Sequence, residues 1–384
     1  MDFDLPEETR DLQDMVREFA AKEITPNAAE WSEKEEFPTH IFTKLGELGL
    51  MGMLVPEKYD GAGSDTVSYV AVMEELGAAD QSVASSWNAH STIATLPLLA
   101  YGTEEQKRRW LAPLARGEAI GAFGLTEPGA GSDAAGITTT AQRRDGGWVI
   151  NGTKMFITNA GTDISQGVTL LATTGRNVDG RKRFATFYVP SGTPGYSCGA
   201  KLKKLGWHAM DTRELVFDDC WISDDHLIGE EGGGLRQFLS VLDKGRISVA
   251  ALGLSLAKAA LALAVKHATE RHQFGRPLSS FQAVAHKVAD IGTEFEAARW
   301  MVYRAAWLAD QGRPYSKEAA MAKLYTSEVA NRAASQALQI HGGYGYVRES
   351  EISRFYADAK ILEIGEGTNE IQRDVIARAL VKEA

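Results

Sequence analysis

Three glycine-rich segments carry residue types that could do chemistry. Thr126-Glu127-Pro128-Gly129-Ala130-Gly131-Ser132-Asp133, Gly342-Gly343-Tyr344-Gly345 and Gly365-Glu366-Gly367-Thr368 combine glycines with hydroxyls, carboxylates or free amides. Glycine lets backbone approach a ligand closely, and the polar groups can then bond to it. Each segment alone reads as a loop more readily than as a site, because short motifs match by chance. Three in one chain, each at a seam between blocks of different character, suit a large cofactor lying across those seams. Taken by itself, Glu366 reads equally well as a solvated carboxylate between two glycines, since acidic side chains are usually exposed.

Other signatures fail. Residues 175–182 have the glycine spacing of a P-loop, but Arg181 and Lys182 stand where Lys and Ser/Thr are required, and no apolar strand immediately precedes them. Gly253-Leu254-Ser255-Leu256-Ala257 imitates a nucleophile elbow from inside a helical run. The 8 histidines show no zinc spacing, so no metal is expected. His208, His272 and His341 read as hydrogen-bonded structural groups. No GxGxxG follows a strand, leaving a nicotinamide site without support. Cys198 and Cys220 are too few for a disulfide framework and point to a reducing compartment. A net charge of −10 argues against nucleic acid as a partner. The N-terminus, MDFDLPEETR, lacks the basic and apolar blocks of a signal peptide, so a cytoplasmic location is expected. Residues 247–265 approach membrane-spanning length, yet their alanine-rich helical pattern carries Lys258 and reads as a buried helix, without membrane insertion.

The elements that must position the glycine segments fall into three blocks. Residues 1–120 read as helical. Over 5–20, Leu5, Leu12, Met15, Val16 and Phe19 form one stripe, 41–50 and 67–76 continue the pattern, and Pro38, Pro56 and residues 60–63 punctuate it. Residues 121–233 read as β. Here 148–150, Asn151-Gly152 and 153–157 spell a hairpin, because Asn-Gly tolerates the positive φ of a primed turn; 168–173, 184–189 and 214–217 add short strands. An antiparallel barrel or sandwich follows. Residues 234–384 return to long helices over 235–272, 281–311, 317–340 and 368–381, which pack as an antiparallel bundle. The fold class is α+β and multidomain.

At residues 125–133 (LTEPGAGSD), 151–159 (NGTKMFITN), 271–275 (RHQFG), 339–346 (QIHGGYGY) and 363–373 (EIGEGTNEIQR), the chain resembles the acyl-CoA dehydrogenase family, in the right order along nearly its whole length. The resemblance implies a helical N-terminal domain, a central β domain, a C-terminal four-helix bundle, bound FAD, and a homotetramer built as a dimer of dimers. It implies that Phe123, Leu125, Thr126, Gly131, Ser132, Phe156 and Thr158 hold the flavin ring and adjoining substrate. It also implies that Arg271, Phe274, Gln282, Gln339, Gly342 and Gly343 meet the FAD pyrophosphate and adenine across a subunit interface. Thr368, as an N-cap, and Glu370 would place further cofactor contacts at the start of the last helix. Asp243 and Arg246 resemble the segment that contacts coenzyme A, and Gly365 and Gly367 flank the acyl group.

By the same resemblance Glu366 is the base that removes the α-proton of an acyl thioester. Its backbone N–H and a flavin ribityl hydroxyl meet the enolate, and the β-hydride passes to flavin N5 to leave a trans-2-enoyl thioester. Some family members carry the base at the position of Gly245, and glycine cannot serve. Phe156 stands where many relatives have tryptophan, and Gly365 where short- and medium-chain members often have tyrosine. Electron-transfer flavoprotein is the implied acceptor, with fatty-acid or branched-chain amino-acid catabolism as setting. The alternatives are an acyl-CoA oxidase, a dehydrogenase of carrier-protein thioesters, and an inactive flavin- or CoA-binding relative.

Overall fold

The computed structural model describes residues 4–383. The first block holds α1 (Glu7–Phe19), α2 (Ala28–Lys34), α3 (Thr39–Glu47), α4 (Thr66–Ala79), α5 (Gln81–Ala89), α6 (Thr95–Tyr101), α7 (Glu104–Gln106) and α8 (Ala112–Ala115). α1 lays Leu12, Met15, Val16 and Phe19 on the core, as their spacing requires. α4 is buried nearly all round, its apolar residues spread over several faces and its buried Glu74 and Glu75 paired with basic side chains. Asp65 and Asp80 start α4 and α5, accepting from the N–H groups of Ser68 and Val83 and satisfying donors that the first helical turn leaves free. A widened turn, His90–Ala94, leads from α5 into α6. There His90 Nδ1 accepts from the Gly121 N–H at 3.0 Å and Nε2 lies 3.2 Å from the Met51 carbonyl. Burial pushes this imidazole down to about 4, keeping it neutral as a tie between helices and sheet.

The sheet comprises β1 (Ile120–Gly124), β2 (Thr140–Arg144), β3 (Gly147–Thr158), β4 (Ser165–Arg176), β5 (Lys182–Pro190), β6 (Tyr196–Cys198), β7 (Thr212–Ser223) and β8 (Leu227–Ile228). Its order is β6-β7-β3-β2-β4-β5-β8, with β1 beside β4. It is mixed: β1 runs parallel to β4, and β2 touches β4 in parallel at Thr140 and Thr173. Parallel neighbours need a long connection, which residues 125–164 supply.

The expected Asn151-Gly152 turn is corrected. β3 runs straight through it, with Gly152 at φ +147 and a register shift against β7 that marks a bulge. Asn151 exchanges hydrogen bonds with Asp219 across the strands, at 3.0 and 2.8 Å. The tight turn lies earlier, at Asp145-Gly146, with φ +48 and +73, and joins β2 to β3. Asp-Gly is the competing primed-turn signal, and it prevails because the bulge lets β3 extend over 12 residues.

The last block holds α9 (Gly234–Glu270), the small hairpin β9 (His272–Gln273) and β10 (Arg276–Pro277), α10 (Gln282–Asp310), α11 (Ser316–His341), α12 (Glu351–Ala359) and α13 (Asn369–Glu383). By length and composition α9 could cross a membrane, but 78% of its most apolar window is buried inside the protein. One hydrophobic core runs through both helical blocks, from Val16, Tyr69 and Met73 to Leu252, Ile291 and Val329. The sheet keeps its own, around Trp148, Leu170, Phe187 and Leu215. α4 and α5 share their core with α9 and α11, and these helices come together around one buried point.

Candidate active site

Glu366 occupies that point, in the turn between the 3₁₀ segment Lys360–Glu363 and α13. Its backbone is left-handed, φ +51, and Gly367 follows at φ +95. A non-glycine residue held there costs on the order of 1 kcal/mol, so the surrounding structure must over-determine it. Lys323 of α11 does much of this. Its Nζ donates to the Gly367 carbonyl at 2.9 Å and to Asn369 Oδ1 at 3.1 Å, and Gln372 Nε2 adds a bond of 2.9 Å to the same carbonyl. Thr368 begins α13: its carbonyl accepts from the Gln372 N–H at 3.0 Å and its hydroxyl from the Ile371 N–H at 3.4 Å. Glu370 is held below the usual carboxylate range by its own amide and the Thr368 hydroxyl.

The Glu366 carboxylate points back into the protein. Oε1 accepts from Asn88 Nδ2 at 3.3 Å. Oε2 is shut away from solvent with no hydrogen-bond partner among the described residues. Burial pushes the carboxyl up to about 8, although Lys323, Asn88 and Arg246 pull the other way. A Cβ built on Gly245 of α9 would fall under 3.0 Å from Oε2, so a larger residue there would displace the carboxylate. Gly365 is open by contrast, with just the Ile361 carbonyl at 3.5 Å from a Cβ there.

Asp243 and Arg246 flank Gly245 on α9. They pair with each other, and Asp243 also accepts from Ser316 Oγ at 3.1 Å. The Arg246 side chain is 11% exposed. It is a largely buried charge felt at Glu366.

A second set of site residues gathers at the end of β1. Phe123 stacks on Phe238 at 4.3 Å, and the Thr126 carbonyl accepts from the Met155 N–H at 2.8 Å, drawing the loop after Leu125 alongside β3. Glu127 anchors that loop. Its carboxylate accepts from the Thr138 and Thr139 N–H groups at 2.6 and 2.9 Å and from Lys154 Nζ at 2.8 Å, while Lys154 also donates to the Leu125 carbonyl at 3.1 Å. Burial opposes its ionisation, but Lys154 and these donors more than offset it and hold the carboxyl down at about 2. Gly131 and Ser132 lie exposed beyond this anchor. On β3 a register shift between Lys154 and Ile157 throws out Phe156, at φ +63 and 64% exposed, with Thr158 half-buried near Met210.

The third set lines a surface pocket of ≈ 480 Å³ in which Arg271, Gly342 and Gly343 meet Gln273 and Tyr344. The Arg271 guanidinium lies 5.2 Å from the Tyr344 ring centre, and a Cβ on Gly342 or Gly343 would meet nothing. Phe274, 93% exposed, tops the β9–β10 hairpin and meets Phe281 edge-on at 6.0 Å, next to the exposed Gln282; Gln339 is exposed near the end of α11. Neither Glu366 nor any residue of 123–158 lines this pocket.

Sequence reasoning missed Asn88, Lys323 and the Glu127–Lys154 pair. Lys323 had a readable signal, since it falls on the same helical stripe as Ala319 and Ser327 and so shares their buried face. Asn88 lies in a run of small and polar residues with no periodicity to reveal its direction.

Family models match in series: the acyl-CoA dehydrogenase N-terminal domain over residues 6–118, the middle domain over 122–220 and the C-terminal domain over 232–381. A probable acyl-CoA dehydrogenase of Bacillus subtilis is 48% identical over 100% of both chains. The mitochondrial short-chain specific acyl-CoA dehydrogenase of Rattus norvegicus is 43% identical over 99% of this chain and 91% of its own. The butyryl-CoA dehydrogenase of Megasphaera elsdenii superposes with a TM-score of 0.95 at 40% identity, covering 99% of this chain and 100% of that one. Three successive domain matches and full-length relatives leave one conclusion: the chain belongs to the acyl-CoA dehydrogenase family.

Proposed function

We propose that the protein is an FAD-dependent acyl-CoA dehydrogenase acting on short acyl chains, with Glu366 as the base that removes the α-proton. The carrying observation is the carboxylate itself, held by one oxygen, with the other buried and unpartnered. Desolvation raises its proton affinity toward that of a useful base, and the fixed turn keeps it in place. The Glu366 N–H is the protein donor for the developing enolate oxygen. Short substrates are supported by the relatives named above.

The residues present fit FAD. Phe123, Leu125, Thr126, Gly131, Ser132, Phe156 and Thr158 would hold the ring system, where Phe156 offers a free aromatic face. Arg271, with Phe274, Gln282, Gln339, Gly342 and Gly343, would hold the pyrophosphate and adenine, the open glycines admitting backbone contact, while Thr368 and Glu370, beside Glu366, would add further cofactor contacts at the start of α13. When bound, FAD supplies the acceptor for the β-hydride. The separation of the third set from Glu366 supports its serving across a subunit interface, in a homotetramer built as a dimer of dimers. Exposed Phe274, Tyr346 and Val381 support such an interface. Electron-transfer flavoprotein is the proposed acceptor, and Asp243, Arg246, Gly365 and Gly367 border the proposed substrate site.

Anaerobic addition of butyryl-, isobutyryl- and octanoyl-CoA to the flavin-loaded protein tests this reading. Bleaching of the flavin by the short thioesters, with enoyl-CoA formed in equal amount, is expected. An oxidised flavin that none of them bleaches would overturn it.

A further inference from the structure

We propose that Asn88 is a positioning residue for Glu366: its amide nitrogen holds Oε1, Tyr69 keeps the amide in that orientation, and Oε2 is thereby left as the atom that receives the proton. The proposal rests on the reading of Glu366 as the base.

Three elements converge here. The Tyr69 hydroxyl, from α4, donates to Asn88 Oδ1 at 2.9 Å, and Asn88 Nδ2, at the end of α5, donates to Glu366 Oε1 at 3.3 Å. Thr92 Oγ1 donates to the Asn88 carbonyl at 2.6 Å and lies 3.4 Å from Oδ1. With Oδ1 engaged on that side, the face of the amide turned to Glu366 is its donor face. Tyr69 is itself locked, stacked on Trp87 with the rings 14° apart, and Trp87 Nε1 donates to the Leu50 carbonyl at 2.9 Å.

Asn88 and Tyr69 are 3% and 1% exposed. A carboxamide buried among apolar neighbours is costly unless its groups are bonded, and here both ends are. The arrangement makes the two carboxylate oxygens unequal. Oε1 remains an acceptor in both protonation states, so Asn88 need not flip when the proton arrives on Oε2. The charged and titratable groups facing Glu366 are Lys323 from α11, Arg246 from α9 and Tyr69 from α4. Among them Asn88 adds a neutral donor that favours the ionised form.

The test uses the flavin-loaded protein and the variants Asn88→Leu, Asn88→Asp, Tyr69→Phe and Glu366→Gln. Two quantities are followed against pH: the infrared band of a protonated carboxyl that Glu366→Gln abolishes, and the rate of anaerobic flavin bleaching by butyryl-CoA. Asn88→Leu should move the midpoint of the band upward by about 1 unit, and the bleaching rate below that midpoint should fall about tenfold with it. Isosteric Asn88→Asp should move both further, by like-charge repulsion, and Tyr69→Phe should move them less, in the same direction. If Asn88→Leu does not fold, Asn88→Asp and Tyr69→Phe decide. Midpoints that stay put in the Asn88 variants, with Glu366→Gln inactive, would overturn the role of Asn88 while leaving Glu366 as the base. A Glu366→Gln protein that bleaches normally would overturn both.

Discussion

Gly245 and Glu366 face each other so closely that a Cβ on the first would fall under 3.0 Å from Oε2 of the second. α9 at Gly245 and the turn before α13 thus share one spot at which a single carboxylate fits. Gly245→Ala should displace the Glu366 side chain and slow anaerobic bleaching by butyryl-CoA by about tenfold or more, as expected when a reacting group is misplaced by a fraction of an ångström. Flavin content, read from the visible spectrum, should be unchanged.

The same closeness predicts a transplant. Glu366→Gly should abolish bleaching, and adding Gly245→Glu should restore part of it, because a side chain rising from Gly245 enters the space beside the present position of Oε2. Stopped-flow rates for the single and double variants check this.

The pH profile follows from the buried carboxylate. Glu366 must be ionised to act as a base, and burial raises it to about 8. The kcat/KM for butyryl-CoA should therefore rise as pH increases through about 8 and fall tenfold per unit well below it. Lys323 lowers this value, so Lys323→Met should push the rise to higher pH. The same change removes two bonds from the Gly367–Asn369 turn and should also lower Tm.

Glu127 and Lys154 form an ion pair whose side chains are 4% and 0% exposed. Lys154→Met leaves a buried carboxylate without its partner and should cost about 3–5 kcal/mol, measured by urea unfolding of the flavin-free protein. The folded Glu127 carboxyl, at about 2, lies below its ordinary 4.5. Its stabilising contribution is therefore fully present above about 4.5 and is lost as pH falls through about 2. Glu127→Gln should lower stability at neutral pH and flatten its dependence across that window. Retention of FAD on dilution should also weaken, since Glu127 fixes the loop that carries Thr126 and Ser132.

The three-block architecture was legible because long apolar periodicities, as in α9 and α10, survive any tertiary context. α12 escaped notice because its stripe of Ile352, Phe355 and Ala359 covers only 9 residues. The strand reading failed at Asn151-Gly152 because a positive-φ glycine serves a bulge as well as a turn, and side-chain bonds to Asp219 decided between them. Glu366 could be singled out through its glycine-flanked turn and the resemblance that turn carries. Its supports could not: Asn88 lies 278 residues away in the chain, and their pairing depends on how α5 lies against the bundle.

The central claim is that Glu366 takes the α-proton. The most direct measurement mixes flavin-loaded wild-type and Glu366→Gln protein with butyryl-CoA under anaerobic conditions and follows the flavin absorbance. Rapid bleaching is expected in the wild type and a rate lower by about 10²–10⁴-fold in the variant, with flavin content unchanged. A Glu366→Gln protein that bleaches at the wild-type rate would contradict it.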